Sequence, residues 1–264
     1  MKSFAFLLLL CSATLSAQML KKVDSWPLNA DTFVGIDSYK NTYFIKDMVL
    51  HKSGPLGEFV FRDYQLGPVS SVDIINPLNV VVFYEETNTV VLVDNRLNEI
   101  ERISFNNLPQ FINVAMATNA GNNQLWIFNI ETQQLELYNY RSGRKTLISQ
   151  PISSSVLGLA SDFNYCYVLT AESIQKYNIY GSFLSETFAE GFEKIIQQNE
   201  QLIAVKNNEI HFQAQLDSDT VLLLNPLKVP LPENNVKDLQ LTQDFLYIYD
   251  GLSVHSFTLT QPKQ

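Results

Sequence analysis

The chain has 264 residues, a formal net charge of -9 and two cysteines, with a sequence pI near 4.8. Its acidic and basic residues are scattered, so it offers no positive surface for a nucleic-acid backbone or an anionic membrane, and both are set aside as partners. Two cysteines give no disulfide framework, so stability must come from an apolar core, which roughly 250 residues are enough to build.

The chain opens Met1-Lys2-Ser3, runs through an apolar stretch over residues 4–11 and exits through Leu15-Ser16-Ala17. A basic start, a short apolar core and a small-residue exit are the parts of a secretory signal peptide, and about eight apolar residues fall short of the about 20 that span a bilayer. Residues 1–17 are therefore read as a leader and 18–264 as one domain, exported to the periplasm or the exterior of a bacterial cell. Cys11 admits a second reading, a lipid anchor, although Leu10 is larger than the small residue such signals place before their cysteine. With the leader removed, Cys166 stands alone and reads as a small packed side chain rather than a nucleophile. No later segment is apolar and long enough to cross a membrane.

Residues 79–105, NVVVFYEETNTVVLVDNRLNEIERISF, set the pattern for the rest. They read as an apolar strand, a polar turn, a second apolar strand, another turn and an alternating strand, which is an antiparallel meander. Variants recur with an Asn or Asp just before the apolar second strand, at Asn41, Asn79, Asn123, Asn164, Asn199 and Asp244. Six units at intervals of about 35 to 45 residues match the period of propeller blades. Polar turns follow at residues 85–88, 129–132, 170–172, 206–208 and 250–251, and Asn and Gly there tolerate the positive φ of a tight hairpin. Fourth strands are expected near residues 58–64, 99–105, 144–149, 182–188 and 220–224. The last unit runs out of chain, while residues 20–26 form an extended stretch without a partner. Pairing that stretch onto the final sheet closes the ring and hides open edges.

On these strand and turn spacings the chain resembles the six-bladed β-propeller superfamily, most closely the extracytoplasmic propellers with NHL-type and YncE-type repeats. The implied fold is all-β, with six four-stranded antiparallel blades and the N-terminal strand completing the last. The Gly-His to Trp-Asp pairing of WD40 repeats, the kelch double glycine and the sialidase Asp box are absent from the sequence. A two-sheet sandwich fits the same run of short strands.

In propellers the first strand of each blade lines a central channel, so ligand-binding candidates are sought there: Asp37, Asp73, Asn113, Gln197 and Asp238. Three oxygen donors, Asp37, Asp73 and Asp238, could hold a hard cation such as calcium or serve acid-base chemistry. The commoner fate of such residues is solvation or bonding to nearby turn amides. His51, His211 and His255 lack a second ligand at zinc spacing and fall on third strands. Glycine-flanked serine elbows, P-loops and dinucleotide fingerprints are missing. Recurrent second-strand aromatics (Tyr43, Tyr84, Trp126, Tyr165, Tyr167, Tyr247, Tyr249) read as packing between blades before they read as a sugar platform. Residues 216–235, with Pro226, Pro230 and Pro232, are expected to form the longest irregular connection. The sequence thus points to an exported, non-catalytic binding or assembly module with a protein or glycan partner in the envelope, monomeric and without a cofactor. The alternative is a metal-dependent hydrolase or lyase using the channel aspartates.

Overall fold

The computed structural model describes residues 19–214, 223–227, 229 and 235–260. Residues 1–18, which include the expected leader and Cys11, and most of the 216–235 connection lie outside the described residues.

β1 (Met19–Pro27) is followed by six groups of strands. Blade 1 holds β2 (Thr32–Ile36), β3 (Thr42–Lys46), β4 (Val49–Gly54) and β5 (Gly57–Phe61). Blade 2 holds β6 (Ser71–Asp73), β7 (Val80–Tyr84), β8 (Thr89–Val93) and β9 (Glu99–Ser104), with one 3-10 turn at Phe105–Asn107. Blade 3 holds β10 (Val114–Gly121), β11 (Gln124–Asn129), β12 (Gln134–Asn139) and β13 (Arg144–Leu147). Blade 4 holds β14 (Val156–Ser161), β15 (Tyr165–Thr170), β16 (Ser173–Asn178) and β17 (Phe183–Phe188). Blade 5 holds β18 (Lys194–Gln198), β19 (Gln201–Lys206), β20 (Glu209–Ala214) and β21 (Leu223–Leu227). Blade 6 holds β22 (Asp238–Leu241), β23 (Phe245–Tyr249) and β24 (Ser253–Thr260), and β1 is its fourth member, in the order β1-β24-β23-β22. Every sheet has four strands and every pairing is antiparallel. The six-bladed propeller expected from the repeat is therefore present, and the sandwich reading falls.

Central strands sit between two neighbouring blades and are buried on both faces, which is why β7 and β8 read as nearly unbroken apolar runs: all ten of their residues are buried. Large rings fill the gaps between sheets, with Tyr43, Tyr84, Trp126, Tyr167 and Tyr249 fully buried. Each such side chain contributes about 1.5–3 kcal/mol through the water it excludes. Cys166 is likewise fully buried, and burial pushes its thiol well above the usual range. Outer strands are exposed and carry charge (Glu58, Glu99, Arg144, Glu186), which discourages pairing with another chain's edge.

Two-residue turns with both φ positive join β3 to β4 (Asp47-Met48), β10 to β11 (Asn122-Asn123), β18 to β19 (Asn199-Glu200) and β19 to β20 (Asn207-Asn208). That backbone matches the twist of the strands it joins, and after glycine Asn and Asp tolerate it best. The fourth strand of blade 5 is displaced from expectation: it spans Leu223–Leu227 rather than 220–224, and Pro226, expected in the loop, pairs with His211 inside it. An outermost strand has one free edge, so the missing N–H of a proline costs no ladder bond there. No helix among the described residues is long and apolar enough to cross a membrane.

Closure is an eight-pair ladder from Met19↔Thr260 to Pro27↔Ser253, with a bulge between Lys22 and Asp24. Removing residues 1–27 should expose the β24 edge and abolish a single cooperative melt; differential scanning calorimetry with size-exclusion chromatography checks this, and a sharp unchanged melt of a monomer would contradict it.

Candidate functional site

The inner strands hold Asp73, Gln197 and Asp238 and border Asp37 and Asn113, and the structure assigns each aspartate a task within the fold. Asp238, the first residue of β22, bridges three blades: its Oδ2 accepts the Phe33 N–H of blade 1 at 3.0 Å, and its Oδ1 accepts from the Lys194 ammonium of blade 5 at 2.8 Å. Asp73, the last residue of β6, accepts the N–H of Ile75 at 2.8 Å and, across the blade boundary, that of Asn119 at 2.7 Å. Burial lifts the Asp73 carboxyl above its ordinary range, and those two N–H donors oppose the shift. Asp37 lies one residue beyond β2, in the turn to β3. It accepts from the N–H groups of Tyr39 and Asn41 (both 2.9 Å), from the Asn41 side chain and from the Tyr43 hydroxyl at 3.1 Å. Lys52, itself buried, stands 3.5 Å from Asp37 and donates to the Asn95 carbonyl of blade 2 at 2.9 Å. Burial, then the charge and hydrogen bond of Asp37, drive the Tyr43 hydroxyl far above the usual phenol range.

Asp73 and Asp238 thus serve contacts between blades, whereas Asp37 is bonded within its own blade, to turn amides as such residues commonly are. No group of three or more His, Cys, Asp or Glu side chains that could hold a metal occurs among the described residues. Asn113 sits one residue before β10, half-buried, with its carbonyl accepting from Ile130 at 2.9 Å. Gln197 lies in β18, and its side-chain oxygen is buried without a hydrogen-bond partner among the described residues.

Residues not singled out from sequence complete the inner ring. Gln240 of β22 accepts the Ile36 N–H at 2.6 Å and donates to the Ile36 carbonyl at 3.0 Å, clamping blade 6 to blade 1. The close approach needs Gly35, where an added Cβ would meet the Gln240 side-chain carbon at 2.6 Å. Thr118 and Ser161 join blades 3 and 4 through hydroxyls 2.6 Å apart.

The three histidines occupy the third position of three third strands, β4, β20 and β24, as their spacing suggested. Their surroundings differ. His255 is buried between the Asp250 carboxylate (2.8 Å) and the Ser25 hydroxyl (2.9 Å), fastening β1 to its sheet. Burial acts against the Asp250 carboxylate, but the His255 hydrogen bond and the N–H groups of Ser253 and Leu252 outweigh it and hold the group below the usual range. His211 meets Phe192 edge-on at 5.0 Å beside a surface cleft of about 410 Å³ between blades 4 and 5. His51 stacks on Phe44, with centroids 4.9 Å apart and planes within 5°, in a cleft of about 280 Å³ between blades 6 and 1. Trp26 of β1 forms the other wall, and Thr42, Ser53 and Glu58 line it as well.

No family model matches this sequence, and no curated protein matches it. The likeness lies in the fold. A catalytically inactive variant of virginiamycin B lyase from Staphylococcus aureus, crystallised with quinupristin, superposes with a TM-score of 0.62 at 11% identity, over 90% of this chain and 99% of that one. A chain of a mitotic checkpoint complex superposes at 0.61 with 10% identity over 99% of both chains. The WD40 domain of Neurospora crassa Pan2 does so at 0.56 with 8% identity, over 88% of this chain and 76% of that one. The chain is a six-bladed β-propeller. At such identities the likeness speaks for the propeller architecture and for nothing finer.

Two outcomes follow for the ring contacts. Asp238→Asn should lose the Lys194 ion pair and weaken the Phe33 bond, costing about 1–3 kcal/mol in a urea unfolding titration. Asp250 has a lowered pKa when folded, so its contribution is present above the unfolded value of about 3.9 and disappears as pH falls through the lower folded value. Asp250→Asn should therefore lower the melting temperature at pH 6 and leave a shallower acid limb below about pH 4. Parallel melting curves for both proteins across that range would contradict the assignment.

Proposed function

We propose that the protein is an exported, non-catalytic binding or assembly module of the bacterial cell envelope, with a protein or glycan partner held at the propeller surface. The observation that carries this reading is a division of labour among polar groups. Asp73 and Asp238 are engaged in holding blades together, and Asp37 in the turn and strands of its own blade, whereas polar side chains without a hydrogen-bond partner among the described residues gather with aromatic rings in a surface cleft. Groups spent on architecture are poor candidates for chemistry that requires them to exchange protons or ligands. A rigid disc with adaptable surface grooves suits recognition. Fold relatives support it in the same measure: among them are a WD40 domain and a chain of a multi-protein checkpoint complex. A lyase shares the fold too, so the fold alone is compatible with catalysis. The alternative of a metal-dependent hydrolase or lyase built on Asp37, Asp73 and Asp238 has no specific observation in its favour.

Export rests on the reading of residues 1–17, with anchoring through Cys11 as its competitor. The test is expression with the native N-terminus in a bacterial host, followed by fractionation, intact mass spectrometry and crosslinked pulldown from envelope extracts. Expected are a mature protein beginning at Gln18, a periplasmic or external location, a monomer on gel filtration and a reproducible envelope partner. A cytoplasmic full-length product, or a pulldown empty of protein and glycan alike, would sink the reading. A lipid-sized mass on Cys11 would replace free export by anchoring.

A further inference from the structure

The six interfaces between blades are unequal among the described residues. Five of them bury clusters of nine to twelve side chains. The sixth, between blades 6 and 1, buries three: Phe33, Tyr249 and Val254. Its inner end is closed by polar bonds from Asp238 and Gln240, and by the Tyr249 hydroxyl against the carbonyls of Leu28, Ala30 and Gly251 at 2.8–3.1 Å. The outer end is left open as the cleft of about 280 Å³.

Pairing register fixes what lines its blade 1 wall. Thr42, Ser53 and Glu58 are cross-strand partners in one row, and Phe44, His51 and Val60 form the next row on the same face. The side chains of Thr42, Ser53 and Glu58 have no hydrogen bond or ion pair with another described residue, and the His51 ring stacks on Phe44 without a hydrogen bond to another described residue. Trp26 closes the slot from blade 6 and is itself only half-buried. The cleft therefore offers flat rings on its walls and three unspent hydrogen-bonding groups in a line, spaced by the strand separation of about 4.8 Å.

These features select a ligand. A wholly apolar guest would strand three polar groups without water, which costs free energy. An anion would face the Glu58 carboxylate on a protein of net charge -9, and the Lys52 ammonium of the lining is buried and already engaged by Asp37 and the Asn95 carbonyl. An ammonium would pair with Glu58 and a ring but leave both hydroxyls without a role. A neutral pyranose uses everything present: its C–H face lies on an aromatic ring while its hydroxyls, each donor and acceptor, satisfy the Thr42, Ser53 and Glu58 row. We infer that the cleft between blades 6 and 1 is a carbohydrate site for a neutral pyranose unit of an envelope glycan. The inference rests on the binding-module reading and names the ligand class for it.

The intact mature protein is screened on a glycan array bearing neutral hexose, N-acetylhexosamine and uronate termini, then titrated with the methyl glycosides of the same sugars. The chain has two tryptophans and Trp126 is fully buried, so an emission change reports Trp26. Expected is saturable binding of a neutral sugar, weakened at least fivefold by Glu58→Gln and by Ser53→Ala and abolished by Trp26→Ala. Phe188→Ala, in the other cleft, should leave it unchanged. Glu58 and Ser53 lie on the cleft wall with no structural partner, so their variants keep the test decisive if Trp26→Ala loosens the seam. Absence of sugar binding, affinities unaltered in Glu58→Gln and Ser53→Ala, or tighter binding of tetramethylammonium than of any glycoside would overturn the assignment. An envelope partner still captured by Glu58→Gln at wild-type yield would overturn it too, while leaving the binding-module reading in place.

Discussion

The fold depends on one antiparallel ladder, between the first strand and the last. A propeller blade presents apolar faces to both neighbours, so no blade is stable in isolation, and the ring is secure only once its two ends meet. Pairing β1 with β24 joins residues more than two hundred positions apart in sequence. The chain must therefore bear a closure entropy that local hairpins avoid, although that cost grows only slowly with loop length. Polar fastening supplements the backbone ladder here: Ser25 to His255, His255 to Asp250, and Leu28 N–H to the Leu252 carbonyl at 2.9 Å. The first and third tie the N-terminal strand, or the chain just after it, to the β23–β24 hairpin, and the His255–Asp250 bond braces the hairpin that receives them. The turn and the seam are in this way a single structural unit.

The propeller was legible because it is written in local terms. Double-sided burial makes second and third strands continuous apolar runs, as in residues 80–84 and 89–93, and several of the Asn residues at their ends (Asn88, Asn123, Asn199, Asn207, Asn208) sit where the backbone turns left-handed. Less legible were turns whose residues carry no such preference: Met48 and Glu200 both adopt positive φ, forced by hairpins of two residues rather than chosen by side-chain chemistry. Pro226 misled for a related reason. Proline argues against a strand in general, but an outermost strand has a side on which its missing donor is not needed.

The site was less legible than the fold, because it depends on side chains brought together across blade boundaries. Charge near an inner strand drew attention to Asp37, Asp73 and Asp238; Asp37 bonds the turn amides beside it, as its sequence neighbours allow, but what Asp73 and Asp238 meet is set by neighbouring blades, which sequence spacing does not show. Gln240 and Gly35 carry one of the closest contacts in the ring, and nothing in their flanking residues marks them as a pair 205 positions apart. The histidines did share a visible register, but the structure gives one a carboxylate, one a phenyl edge and one a stacked ring. Equivalent position in a repeat fixes where a side chain stands and leaves its chemistry to whatever the next blade supplies.

The same reasoning locates the open cleft. Five interfaces form between blades consecutive in the chain, where packing can evolve as a continuous apolar cluster. The sixth must accept a strand delivered from the other end of the polypeptide, and the structure secures it with directional bonds at the inner rim rather than with bulk burial at the outer one. Directional bonds tolerate a gap beside them, whereas close packing does not, since a void among apolar side chains forfeits their dispersion contacts. A seam fastened by Asp238, Gln240 and Tyr249 can therefore remain open at Trp26 without unravelling. A ligand seated there would touch both blades of the closure, so its binding free energy would add to the ladder that holds the ring shut.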